Sequence, residues 1–250
     1  MCLTAEINSD LRNIWKEERK SGKRHQYDEF LRRWPMQYPE LRENCIVFVG
    51  LNPSFREHHD EVCKLNDTDE LDSLEKRKSV ILAQAESEGQ ISQDSYYYYD
   101  AFDCFVNRVS DTLSLKFKWE ALEVFAVRER RQETVKKLLR SESGWTDFAK
   151  QQWKVFHKAL NEIKPVCVVV ANAFASDLIS NHVDVADGIE PKFDIVDSEL
   201  LRVRGYRIVK LSGTDVPLLL SGMINGQRLL DKYSLERLIW MTCKSISEMH

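Results

Sequence analysis

Cys45-Ile46-Val47-Phe48-Val49-Gly50-Leu51-Asn52-Pro53-Ser54 opens as a continuous apolar run and stops at a glycine and a proline. A short apolar run bounded by turn formers reads as a strand buried on both faces, the kind that parallel sheets contain. The turn after it has its own logic. Gly50 is conformationally permissive, Pro53 fixes its own φ, and the residue before a proline is steered away from helical geometry. Asn52 is therefore held extended at a strand end. Its carboxamide suits orienting a water or binding a substrate edge, and it equally suits a plain strand-ending turn.

Working outward, Val166-Cys167-Val168-Val169-Val170 is the strongest strand in the chain. Trp153, Phe156, His157, Leu160 and Ile163 mark an amphipathic helix before it, ended by Lys164-Pro165. Ala171-Asn172-Ala173 and a helix from Phe174 follow it. Helix, strand, turn and helix in that order make a unit of a parallel sheet. A further core strand is predicted over 122–127, with a polar end at Arg128-Glu129-Arg130-Arg131 and a helix over 132–140. Residues 206–211 and 216–220 read as paired strands around Ser212-Gly213-Thr214-Asp215. A loop over 221–225 leads to a helix over 228–248, restarted at Ser234 as an N-cap. Residues 8–42 read as basic and helical, interrupted near Pro35 and Pro39. Residues 96–113 carry Tyr98, Phe102, Phe105, Val106 and Val109 at helical spacing, a stripe for the core. The sum is an α/β fold: three layers, α/β/α, with a central mostly parallel sheet.

The chain of 250 residues reads as one domain over 1–250, with a polar, acidic insertion at about 56–95. No stretch approaches the ~20 apolar residues that span a bilayer. The first residues show neither a basic n-region nor an apolar core, so no signal peptide and a cytoplasmic location are expected. Six cysteines without a C-x-x-C spacing predict reduced thiols rather than disulfides or a metal site. Net charge is −4, unevenly placed: residues 56–100 carry −7 and residues 11–42 carry +4. The basic segment is either an electrostatic footprint for nucleic acid or a solvated helical face.

Ligands of open parallel sheets sit beyond the carboxyl ends of the strands. The loops at 50–55, 125–130 and 171–174 qualify, with 221–228 beside them. Phe48-Val49-Gly50-Leu51-Asn52-Pro53-Ser54 resembles the first motif of the uracil-DNA glycosylase superfamily, in its Gly-x-Asn-Pro form. Later landmarks keep that superfamily's order. Residues 122–128 resemble its second strand and base-facing end, and 165–178 the strand–turn–helix before its final motif. Leu219-Leu220-Ser221-Gly222-Met223-Ile224-Asn225-Gly226-Gln227-Arg228 resembles a divergent form of that final, DNA-inserting motif. The likeness covers about 46–240 in outline and is close only in the first motif.

The resemblance implies hydrolysis of an N-glycosidic bond in DNA by a monofunctional glycosylase. It needs no metal and no cofactor, acts as a monomer and does not bind membranes. The target nucleotide is flipped out of the stack into a pocket. Asn52 would hold the attacking water; an amide positions water but is a poor base, so this form is associated with weaker catalysis than the Asp form. Gly50, Leu51, Pro53, Ser54 and Phe55 would line the substrate site. Met223 and Ile224 would be the wedge that fills the vacated stack, with Asn225, Gly226 and Arg228 facing phosphates. Read from the residues alone, Met223 and Ile224 are also a core pair between a strand and a helix.

Two departures bear on substrate. Leu220 or Ser221 stands where the final motif usually has a base-binding His, and Phe125 stands where an Asn usually reads the uracil edge. They point to a modified or damaged pyrimidine, modified cytosine in phage DNA included, with selectivity from packing and from Arg128 or Asn172. Repair and antiviral defence both fit. Two other functions stay open: a catalytically weak DNA-binding module of the same fold, and an unrelated nucleotide or nucleoside hydrolase. His58-His59 with Cys63 reads as an exposed loop, His157 as a core histidine, and Tyr96-Tyr97-Tyr98-Tyr99 as half core.

Overall fold

The computed structural model describes residues 3–21, 31, 35–38, 41–53, 100–129, 131–224 and 230–249. The acidic stretch at 56–95 and the tyrosine run lie outside the described residues. So do Ser54, Phe55, Asn225, Gly226 and Arg228.

The first strand, β1 (Ile46–Gly50), is central, which is why its residues are apolar without alternation. Parallel partners flank it: β2 (Trp119–Glu123) on one side and β5 (Cys167–Val170) on the other. A small two-stranded ribbon, β3 (Arg140–Ser141) with β4 (Gly144–Trp145), stands apart. Beyond β5 come β8 (Thr214–Leu220), β7 (Arg207–Leu211) and β6 (Asp194–Val196). The sheet order is β2-β1-β5-β8-β7-β6. The four strands from β2 to β8 run parallel, and β7 and β6 are added antiparallel. The β7–β8 turn is tight because Ser212 (φ 49°) and Gly213 (φ 82°) both take positive φ, as two-residue hairpin turns require.

Helices cover both faces. On one, α1 (Leu3–Lys20) lies on α4 (Asp147–Ile163), with Trp15 edge-on to Phe148 at 4.8 Å between ring centres. Lys158 reaches back to pair with Glu6 and with Asp10 at 3.4 Å. The short helices α3 (Gln132–Leu139) and α5 (Ala173–Ile179) join that layer. On the other face α2 (Asp100–Leu113) and α8 (Lys232–Met249) pack together, and Phe102 stacks on Phe48 of β1 at 4.3 Å. Two short helices follow: α6 (Val183–Ala186) before β6, and α7 (Glu199–Arg204) between β6 and β7. The protein is thus an α/β fold with a mixed, mostly parallel six-stranded sheet between helices. No helix among the described residues is long and apolar enough to cross a membrane.

The structure corrects several boundaries. The predicted strand at 122–127 is β2 at Trp119–Glu123, four residues earlier at its end. Residues 124–127 are as buried as a strand would be, yet they leave the sheet. An apolar run reports burial, and burial here is supplied by a loop folded over the sheet end. The basic N-terminal helix is Leu3–Lys20 rather than a segment from residue 8 onward. The last helix starts at Lys232 and is capped by Asp231, whose carboxylate accepts from the amides of Tyr233 and Ser234 and from the Ser234 hydroxyl. Ser234 is inside the first turn, not its cap.

Candidate functional site

The chain leaves β1 to form β2 on one side, then returns to form β5 on the other. That reversal of strand order falls between β1 and β5, and ligands of such sheets bind in the crevice expected at the carboxyl ends there. Four segments meet at this edge. The amide of Val124 donates to the Gly50 carbonyl (3.0 Å) and Phe125 to Leu51 (2.9 Å). Ala171 donates to Val49 (2.8 Å) and Ser221 to Val170 (2.9 Å). Because β8 is parallel to β5, the loop that begins at Ser221 shares the edge with Asn52.

Asn52 is half-buried and well held. Its Nδ2 donates to the carbonyls of Glu129 (2.6 Å), Pro53 (3.1 Å) and Val127 (3.3 Å). The amide of Glu129 returns to the Pro53 carbonyl at 3.0 Å. The loop at 50–53 and the strap at 124–129 are thereby zipped together, with the Asn52 nitrogen as the central stud. Its Oδ1 accepts no hydrogen bond from the described residues.

Gly50 passes close to a carboxylate. A Cβ there would lie 2.2 Å from Oε2 of Glu123, which is its register partner on β2. The Glu123 carboxylate therefore lies against the backbone of the motif, and the Tyr38 hydroxyl donates to the Glu123 carbonyl at 3.0 Å. Sequence reading missed Glu123. The signal was present, since Trp119-Glu120-Ala121-Leu122-Glu123 alternates in burial and ends on a carboxylate in line with Gly50. Placing the strand at 122–127 put Glu123 at its start, away from the carboxyl end, and hid it.

Other predicted site residues are engaged in the fold. Phe125 is fully buried and stacks on Trp145 at 5.7 Å, so it belongs to the core rather than to a base-stacking wall. Leu51 and Pro53 are buried too. Asn172 is the N-cap of α5: its Oδ1 accepts from the Ala175 amide at 3.1 Å. Arg128 is 5% exposed, inside the strap that Asn52 holds. Ser221 and Met223 are half-buried, and the Met223 carbonyl accepts from the Leu230 amide at 2.8 Å. Ile224 is 4% exposed and lies in the apolar layer under α8.

Next to the Ala171 loop lies a group that sequence gave no means of assembling. Phe174 of α5 is half-buried, with Lys136 Nζ 4.6 Å from its ring centre and the Arg140 guanidinium 5.9 Å away. Arg140 also lies over Trp145 at 4.5 Å. These residues come from α3, β3, β4 and α5, so no local spacing connects them.

Among the described residues no group of three or more His, Cys, Asp or Glu is arranged to hold a metal ion. Burial pushes the Cys45 thiol up to about 12, and the Cys167 thiol is raised by burial as well. Both are inert core thiols. His157 is half-buried, stacked on Phe193 at 4.5 Å, and burial lowers its pKa. Compared with protein-family models the chain matches none, and a search of curated proteins finds no match.

Proposed function

We propose that this protein is a DNA glycosylase, a divergent relative of the uracil-DNA glycosylases. It hydrolyses the N-glycosidic bond of a flipped-out base, a modified or damaged pyrimidine in preference to plain uracil. One observation carries the reading. The Asn52 nitrogen is fixed by three carbonyls at the crevice between β1 and β5, which leaves Oδ1 as a preset acceptor. A fixed amide oxygen can orient a water for attack on the sugar C1′ with no change in its own charge. The position of the Gly-x-Asn-Pro loop at the reversal of strand order supports the same reading, since flipped-out ligands need an open sheet end.

The burial of Phe125 changes how the base is chosen. Selectivity then falls to packing at the sheet end, where Ser221 is half-buried, while Arg128 and Asn172 are themselves almost wholly buried. The test is incubation with DNAs of differing base modification, followed by mass spectrometry of released bases. Release by the wild type, lost in Asn52→Ala with DNA binding retained, is expected. Absence of release from every DNA tried would sink the proposal. A binding module of the same fold is the second reading. The engagement of the Asn172 oxygen, Phe125 and Ile224 in the fold favours it. It predicts DNA binding by the wild type with no base released.

A further inference from the structure

α8 turns two rings and two cations to solvent. Tyr233, Arg237, Trp240 and Lys244 recur three or four residues apart along it. At 3.6 residues per turn the four lie within about 60° of one another around the axis, a single stripe. Tyr233 is 83% exposed and Trp240 58%, whereas the other large exposed apolar side chains among the described residues are all aliphatic. Arg237 is exposed, and Lys244 Nζ stands 5.0 Å from the centre of the Trp240 ring. The carboxylates of the helix are engaged elsewhere, Glu236 by Arg108 and Glu248 by Arg204 and Tyr206. Arg237 and Lys244 form no ion pair among the described residues.

Alternating rings and cations suit a strand of bases and phosphates. Every base offers a flat face to a ring and every phosphate a charge to a cation, whatever the sequence. Tyr233 and Trp240 are seven residues apart, a rise of about 10.5 Å, which matches about three stacked nucleotides at 3.4 Å each. Arg237 stands between the rings and Lys244 one turn beyond the second, so the charges keep step with the rings. The stripe also begins near the sheet end. The Leu230 amide donates to the Met223 carbonyl at 2.8 Å, in the loop after β8, and Tyr233 follows three residues later. The Tyr233 Cα is thus within about 11 Å of that of Leu230.

We propose that this face of α8 is a docking surface for single-stranded DNA, with bases on Tyr233 and Trp240 and phosphates at Arg237 and Lys244. The choice of DNA rests on the glycosylase reading; the chemistry of the surface does not. The test is fluorescence anisotropy of the whole protein with a labelled oligothymidylate of about 12 nucleotides, a length within the range that such surfaces cover. Tyr233→Ala and Trp240→Ala should each weaken binding about 5–150-fold, the loss of one stacked base. Arg237→Gln with Lys244→Gln should reduce the slope of log affinity against log salt by about 1.4, two phosphates of a single strand. Circular dichroism should show all these surface variants folded.

Equal affinity of the wild type and both ring variants overturns the proposal, as does absence of binding. Tighter binding of an oligouridylate of the same length would make RNA the strand and overturn the choice of DNA. Tighter binding of poly-glutamate would make an acidic protein the partner and overturn the surface as described. Base release lost in Asn52→Ala, with the ring variants binding oligothymidylate as the wild type does, defeats this inference alone. Binding that depends on the rings, with no base released from any DNA, defeats the glycosylase reading alone.

Discussion

Asn52 and Gly50 show how little freedom the motif leaves. Asn52 donates both amide hydrogens into a nest of three carbonyls. Asn52→Asp, although it keeps the shape, would put a carboxylate against those carbonyls and remove their donor. It should cost about 1–3 kcal/mol of stability, as unsatisfied buried polar groups do. Urea midpoints of the two proteins check this, and an unchanged midpoint would show that the nitrogen is not the stud described here. The same variant should therefore fail to gain the activity that an Asp form of the motif would suggest. Gly50→Ala tests the neighbouring contact. Its methyl would overlap the Glu123 carboxylate, the far end of a flexible side chain that can swing aside, so the cost should be under about 1 kcal/mol. The penalty should shrink in a Glu123→Ala background, since contacting residues couple. An equal penalty in both backgrounds would place the strain elsewhere.

At the scale of elements, α4 is the clearest case of sequence and packing agreeing. Thr146 caps it by accepting from the Ala149 amide, and Lys164 closes it in a left-handed conformation just before Pro165. Its apolar face was legible from the spacing of Trp153, Phe156, Leu160 and Ile163, all buried. His157 on the same helix ties it to its neighbours. Its Nδ1 accepts from Nδ2 of Asn161, whose Oδ1 accepts from the Ser212 amide in the β7–β8 turn. Burial depresses the His157 pKa, so the fold prefers the neutral ring. The stability this confers is complete above the unfolded value of about 6.5 and is lost as pH falls through the lower folded value. Urea midpoints at several pH values between 7.5 and 5 should thus fall more for the wild type than for His157→Gln. Parallel declines would mean that other groups govern the acid limb. The strap at 124–129 teaches the opposite lesson, because its apolar residues mimic a strand while its amides bond to a loop.

At the scale of the molecule, one sheet is shared by two apolar layers. Phe156 sits in the layer under α1 and α4, and Phe105 in the layer under α2 and α8. Both are almost wholly buried. Because β1 and β5 contribute side chains to both layers, the layers should unfold together. Phe156→Ala and Phe105→Ala should each cost about 3–5 kcal/mol. Near- and far-ultraviolet circular dichroism should follow a single transition in both variants. A variant that loses one signal before the other would show that the layers are separate folding units.

The sequence by itself determined the α/β class, the two central strands and the position of the Gly-x-Asn-Pro loop at a strand end. It could do so because apolar runs, helical spacing and proline restrictions are local and leave their period in the chain. Only the tertiary structure decided which side-chain atoms are available. The Asn52 nitrogen is held, its oxygen is not engaged by the described residues, Phe125 and Ile224 are core, and Glu123 lies over Gly50. Each of these depends on segments some 70 residues or more apart in the chain, or on which face of the sheet a loop folds over. No local pattern encodes such pairings, because they follow from the register between strands and from the volume left at the sheet end.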